Sequence, residues 1–155
     1  MVPSRARCRL PRPKRLRAAG EEYGAVTGRP RRCGWLDLPA LRYAVRINGL
    51  DELVITKLDV LDDFDEIRVA ESYVIDGKRR ESYPSSSREL ARCEPVWRSF
   101  PGWKTSTAKI RRWEDLPERA RAYLEWLEES AGAPVTVVSV GAERDAEIRR
   151  AVTVR

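Results

Sequence analysis

The chain has 155 residues, 42% of them hydrophobic and 35% charged, with a net charge of +6 and no histidine. That length suits one domain or a large piece of a bigger one. It holds no apolar run near the ~18 residues of a membrane span and no apolar segment of a secretory signal, and its three dispersed cysteines (Cys8, Cys33, Cys93) fit a reducing cytoplasm better than a disulfide framework or a zinc site.

In chain order, residues 1–17 come first as a Pro/Arg arm. They hold seven of the 30 basic residues and none of the 24 acidic ones, which leaves 23 against 24 in the remainder. The excess charge therefore sits in the arm, and residues 18–155 are nearly neutral. An arm of this kind can hold phosphate backbones non-specifically, but charge runs are more often solvated. The reading is a disordered tail, with no specific nucleic-acid partner.

Residues 23–33 are a loop dense in glycine and arginine. Leu38, Leu41, Ala44 and Val45 then fall at helical spacing, which predicts a helix over 38–48 with Asp37 as cap and Asn48-Gly49 as stop. Leu53-Val54-Ile55 reads as a short buried strand, and 67–75 as a second one. Asp76-Gly77 is a hairpin signal, with a polar return strand over 78–83. A short helix fits within 85–93. Residues 95–113, with Trp97, Phe100, Trp103 and Trp113, read as aromatic and irregular. Ala120, Tyr123, Leu124 and Leu127 mark one face of a helix over 117–130, ended by Gly132 and Pro134. Val135 to Val138 is another buried strand, and 143–152 reads as a final helix or tail. The mixture implies an α/β fold with a mixed central sheet.

Three loops carry chemistry. In Gly24-Ala25-Val26-Thr27-Gly28-Arg29-Pro30-Arg31-Arg32, glycines let the backbone approach a ligand and arginine forks grip carboxylates or phosphates. A plain surface loop would look the same. Thr56-Lys57-Leu58-Asp59, where an apolar strand ends, has the [NT]-K-x-D pattern that reads guanine. A carboxylate accepts two hydrogen bonds, and guanine offers two adjacent donors that adenine does not. Four residues also match by chance, leaving Lys57 and Asp59 as solvated charges. Ser139-Val140-Gly141 follows another apolar strand, where ligands bind in open α/β sheets.

Taken together these segments say more. Gly24 to Asp62 reads GAVTGRPRRCGWLDLPALRYAVRINGLDELVITKLDVLD, followed by Pro101-Gly102-Trp103 and Val138-Ser139-Val140-Gly141. This resembles the carboxyl-terminal region of the adenylosuccinate synthetases, with their GATTGRPRRCGW, RYA, TKLDVLD, PGW and ISVG motifs, over about residues 18–148. The resemblance implies the corresponding part of a P-loop-NTPase-like fold. It implies GTP-dependent joining of IMP to L-aspartate in AMP biosynthesis, with Mg2+, in a cytoplasmic homodimer. By position it assigns Ala25, Val26, Thr27, Gly28, Arg29, Pro30 and Arg31 to aspartate, and Arg29 also to IMP. It assigns Arg31, Lys57, Leu58, Asp59, Ser139, Val140 and Gly141 to GTP.

Val26 stands where a threonine is usual, and Asp63 where a glycine is common. The family's G-D-E-G-K-G-K phosphate loop and its catalytic histidine have no counterpart, so no catalytic residue and no metal ligand is assigned here. Residues 1 to about 14 read as foreign to the family's lead-in. The expectation is a fragment inactive alone. A stand-alone guanine-nucleotide-binding or regulatory remnant is the alternative.

Overall fold

The computed structural model describes residues 14–150. Helix α1 (Lys14–Ala19) buries Leu16, so residues 14–17 belong to the folded part and not to a disordered arm; the rest of the arm lies outside the described residues. What holds so basic a helix is local. Arg15 donates to the Asp63 carbonyl at 3.2 Å and lies 4.8 Å over the Phe64 ring, so its charge is used on the protein's own surface.

Strand β1 (Leu36–Asp37) leads into helix α2 (Leu38–Asn48). Asp37 caps α2 by accepting from the Ala40 amide at 3.2 Å and also accepts from the Tyr73 hydroxyl, and Gly49 closes the helix in the left-handed conformation. Strand β2 (Leu53–Ile55) follows, then a 3-10 turn over Leu58–Leu61. Strand β3 (Glu66–Ile75) runs through the Asp76-Gly77 turn, with φ of 51° and 76°, into β4 (Lys78–Arg80), shorter than the return strand expected. Helix α3 (Ser87–Leu90) is capped by Ser86.

Two expectations fail beyond this point. Glu94–Pro101 is strand β5, antiparallel to β3 along most of its length, and not irregular. Among the described residues β5 pairs only with β3, and a strand with an unpaired edge tolerates the prolines at 95 and 101. Helix α4 (Glu118–Ala131) and strand β6 (Val135–Ser139) stand where the sequence puts them. The last element is strand β7 (Glu147–Arg149), antiparallel to β6, in place of a helix or tail.

Among the described residues the strands form two mixed sheets, as an α/β fold with mixed pairing requires. In the first, β3 pairs with β1 in parallel and with β4 and β5 antiparallel; the second has the order β2-β6-β7 with β2 and β6 parallel. Both contribute to one core. Leu53, Val135, Val138 and Ile148 of the second sheet join Leu124 and Leu127 of α4 and Ile67 and Val69 of β3.

A buried polar knot stabilises the junction after the 3-10 turn. The Asp62 carboxylate accepts from Trp103 Nε1 at 2.7 Å, from the Thr107 amide at 2.6 Å and from the Thr107 hydroxyl at 3.0 Å. Beside it, a Cβ on Gly102 would collide with the Phe64 carbonyl, which explains why a glycine precedes Trp103.

Candidate functional site

Because β2 and β6 are parallel neighbours, with Ile55 opposite Val138, their carboxyl ends lie side by side. Thr56-Lys57-Leu58-Asp59 leaves one end and Ser139-Val140-Gly141 the other, so the fold itself brings the second and third loops together. Lys57 takes the left-handed conformation (φ 59°), an uncommon state for a lysine that turns the chain sharply into the 3-10 turn. Leu58 is buried, which fixes the turn on the core.

Asp59 is part-buried, and its Oδ1 is buried without a hydrogen-bond partner. Burial raises its pKa above the ordinary value, and Asp62 adds to this, while the backbone amides of Asp59 and Val60 and the Lys57 charge pull it back. A carboxylate in this state gains from a ligand that brings donors. On the neighbouring loop, Ser139 Oγ donates to the Gly141 carbonyl at 3.1 Å, and the Val140 amide donates to Ala146 O at 2.8 Å. Val140 is fully buried, so its side chain and amide are engaged by the fold.

The glycine/arginine loop is a small hairpin. Tyr23 and Pro30 form an antiparallel bridge, the Gly28 amide donates to Gly24 O at 2.8 Å, and Gly28 takes a φ of 63° at the tip. Ala25, Val26, Thr27, Gly28, Arg29 and Pro30 are all exposed, Val26 at 97%. Gly24, Thr27, Arg29, Pro30, Arg31 and Arg32 line a concavity of about 370 Å3. A second cavity of about 490 Å3 lies between this hairpin and the 3-10 turn, with Arg31, Cys33, Trp35, Thr56, Lys57 and Leu58 in its walls. Arg31 faces both. Asp59 and Ser139–Gly141 are not among the residues lining the larger cavity.

One carboxylate not singled out by the sequence ties the first two loops. Glu22 Oε2 meets Arg31 Nη1 at 3.1 Å and Glu22 Oε1 meets Lys57 Nζ at 3.0 Å, while Lys57 Nζ also donates to Gly20 O at 2.6 Å. The Lys57 hydrogen bond and charge, then Arg31, hold the Glu22 carboxyl below its ordinary pKa. The bridge is therefore complete above the usual glutamate range and is lost as pH falls through that lowered value. Glu22→Gln removes the shared charge at constant shape. Amide exchange over 23–29 and 57–60 is expected to quicken in that variant, with 66–75 unchanged. Equal exchange in both proteins would show that the bridge does not tie the loops.

The residues chosen from the sequence thus fall into two joined groups. Arg31, Lys57 and Leu58 share the larger cavity, and Asp59 stands on the turn beside the Ser139–Gly141 loop. The tips of the first hairpin, Ala25 and Val26, point to solvent. Among the described residues, no group of three or more His, Cys, Asp or Glu converges as a metal site, and no helix is long and apolar enough to cross a membrane.

The family model described as adenylosuccinate synthetase matches residues 4–148. The match begins inside the stretch read from the sequence as foreign to the family. Among curated proteins, the chain is similar to the adenylosuccinate synthetase of Schizosaccharomyces japonicus, with 51% identity over 130 residues, 84% of this chain and 30% of that protein. It is 54% identical over 129 residues to that of Nostoc punctiforme, covering 83% of this chain and 29% of that protein. Among solved structures, a fully ligated adenylosuccinate synthetase from Plasmodium falciparum superposes with a TM-score of 0.83 at 36% identity, over 88% of this chain and 33% of that chain. The chain spans about 30% of the length of the curated relatives it matches.

Proposed function

The chain belongs to the adenylosuccinate synthetase family, and from that premise we propose that it supplies the guanine-binding and aspartate-binding parts of a GTP-dependent ligase that joins IMP to L-aspartate, releasing GDP and phosphate. The observation that carries this reading is the pairing of loops at the ends of β2 and β6. There Asp59, with a buried unpartnered oxygen, stands beside Ser139-Val140-Gly141. A donor-bearing purine edge answers that oxygen, and guanine presents two such donors.

In this reading Asp59 accepts from guanine, and the Lys57 stem lies along the purine while its ammonium stays on Glu22 and Gly20. Leu58 packs beneath, and Ser139, Val140 and Gly141 form the other wall. Arg29 and Arg31 grip the two carboxylates of L-aspartate, with Arg29 also reaching IMP and Arg31 the GTP phosphates. Ala25, Val26, Thr27, Gly28 and Pro30 shape the hairpin that closes over aspartate. Mg2+ takes oxygen ligands in an octahedral set, and the described residues offer no such cluster, so no step here runs through it. The working protein is placed in the cytoplasm, as a homodimer.

Proton transfer and phosphate positioning act as a unit with binding. The 155-residue chain alone is therefore expected to bind guanine nucleotide without forming adenylosuccinate. Fluorescent GDP and ADP analogues titrated into the purified chain test the first part. Binding that favours guanine by about tenfold or more, with NMR shifts at 56–59, supports the reading. Equal affinity for the two bases would overturn it, and adenylosuccinate formed by chain free of host enzyme would overturn the second part.

A further inference from the structure

Glu22 lies where three segments meet: the end of α1, the glycine/arginine hairpin and the turn after β2. Its amide donates to Arg17 O at 3.0 Å, and its carbonyl accepts from the Arg31 amide across the hairpin at 2.9 Å. The backbone of Glu22 is thereby held on both sides. Its side chain is 26% exposed, against 60% for Arg31 and 48% for Lys57. The carboxylate is the fixed member of this triad, and the two cations are the movable ones.

Each carboxylate oxygen takes one cation, Oε2 from Arg31 and Oε1 from Lys57. Two cations drawn to one carboxylate repel each other, and without it they would part the loops that carry them. Neither is used up by the contact. Among the described residues Arg31 has no other ion-pair partner, and the contact employs Nη1 alone, which leaves Nε and Nη2 as a fork for an anion. The Lys57 ammonium is shared between Glu22 and Gly20 O, and its stem stays available. Each cation is therefore able to serve a ligand and keep Glu22 at the same time. Long exposed side chains lose rotamer freedom when they bind, and a carboxylate holding both lets the first ligand bear part of that loss for the second.

We propose that Glu22 is a positioning residue that makes the two loops cooperative: an anion gripped by Arg31 orders Glu22 and through it Lys57, so that guanine nucleotide binds a turn already in place. The inference rests on the functional reading above for the identity of both ligands, a dicarboxylate amino acid at the hairpin and a guanine nucleotide at the turn. Coupling of this kind is reciprocal, so the nucleotide tightens the anion by the same factor. Its size is limited by exposure. Ion pairs half open to solvent are worth little, which points to about threefold and not to the hundredfold of large transitions.

The test titrates the fluorescent GDP analogue into the 155-residue chain with and without saturating L-aspartate, sodium chloride replacing the latter at equal ionic strength. The wild-type Kd is expected to tighten about threefold with aspartate, and that of Glu22→Gln to change by a factor of about one. Glutamine keeps the length but turns an amide N–H toward one of the two cations. Glu22→Asp keeps the charge and loses one methylene of reach, so it too should lose the ratio, which a role in net charge alone would preserve. The readout is a ratio within each protein, so lower stability or a weaker single affinity does not imitate it. A ratio retained in either variant, or a ratio of one in the wild type, would overturn the proposal. NMR of the wild type with L-aspartate alone needs neither variant nor nucleotide. Shifts at 29–32 are expected to be joined by shifts at 57–60, and a response confined to 29–32, or none, also overturns it. Equal binding of the GDP and ADP analogues would strike the nucleotide reading, and the aspartate-only shifts would still decide the coupling.

Discussion

Asp62→Ala is expected to destabilise the folded chain by about 3–5 kcal/mol, a large share of the ~5–15 kcal/mol that holds a typical domain. The carboxylate is buried and accepts from three donors at once: the Trp103 indole, the Thr107 amide and the Thr107 hydroxyl. Truncation leaves all three desolvated and unpaired, and each such donor costs ~1–3 kcal/mol. Water cannot reach them cheaply, since Thr107 is fully buried and Trp103 nearly so. Asp62→Asn should fall between, because an amide keeps one acceptor but turns a donor toward one of its partners. Urea unfolding of the three proteins measures this. A loss below about 1 kcal/mol for Asp62→Ala would show that the knot is not a principal tie.

That knot also gives a physical reason for two motifs that the sequence offers only as separate strings. Thr56-Lys57-Leu58-Asp59-Val60-Leu61-Asp62 and Pro101-Gly102-Trp103 are one structural unit, joined by the Asp62–Trp103 bond. Gly102 allows β5 to pass against the Phe64 carbonyl, and its own amide donates to Asp65 O at 2.8 Å. The nucleotide-loop candidate, Lys57 to Asp59, is thereby anchored three residues downstream to the end of the longest strand pairing in the molecule. Rigid support from outside the contact residues is what a selective polar site requires.

The legible parts of the fold are those where periodicity and punctuation agree. α2 has Asp37 before it and Gly49 after it, α4 ends on Gly132 in the left-handed conformation, and the Asp76-Gly77 turn supplies two positive φ values. What failed had misleading local signals. β7 buries only Ile148 between Glu147 and Arg149, a pattern with too few apolar positions to mark a strand. α1 is basic, and its docking through Arg15 to Phe64 is a tertiary event. Similarly, the place of residues 56–59 at the end of an apolar strand could be read from the sequence, whereas the role of Glu22 could not. Its partners Arg31 and Lys57 are nine and 35 residues away, a closeness created by the fold.

Asp59→Asn should reverse the base preference of a complete enzyme carrying this segment, raising the GTP KM about a hundredfold and improving the use of XTP. Two features make the position sensitive. Asp59 Oδ1 is buried and unpartnered, and burial already disfavours the ionised form, so the site gains most from a ligand that donates. Guanine donates from N1 and from its exocyclic amine, matching two carboxylate oxygens. Adenine has an acceptor at N1, which would face a carboxylate lone pair. A site built around donors rejects an analogue lacking them by far more than an apolar pocket can, because the buried acceptor is left unpaired. Asparagine keeps the shape but offers one acceptor and one donor, which mismatches guanine and suits xanthine, whose C2 carries an oxygen. The raised pKa adds a pH signature. Nucleotide binding favours the ionised carboxylate, so guanine affinity in the wild-type segment should fall as pH drops through that raised value, and the asparagine variant should lose this dependence. The IMP and aspartate constants should change little, since Arg29 and Arg31, to which our proposal assigns those substrates, stand on another loop. Were Asp59 a solvated strand-end charge, all three substrate constants would stay near normal. An unchanged GTP KM in the variant would decide for that simpler role.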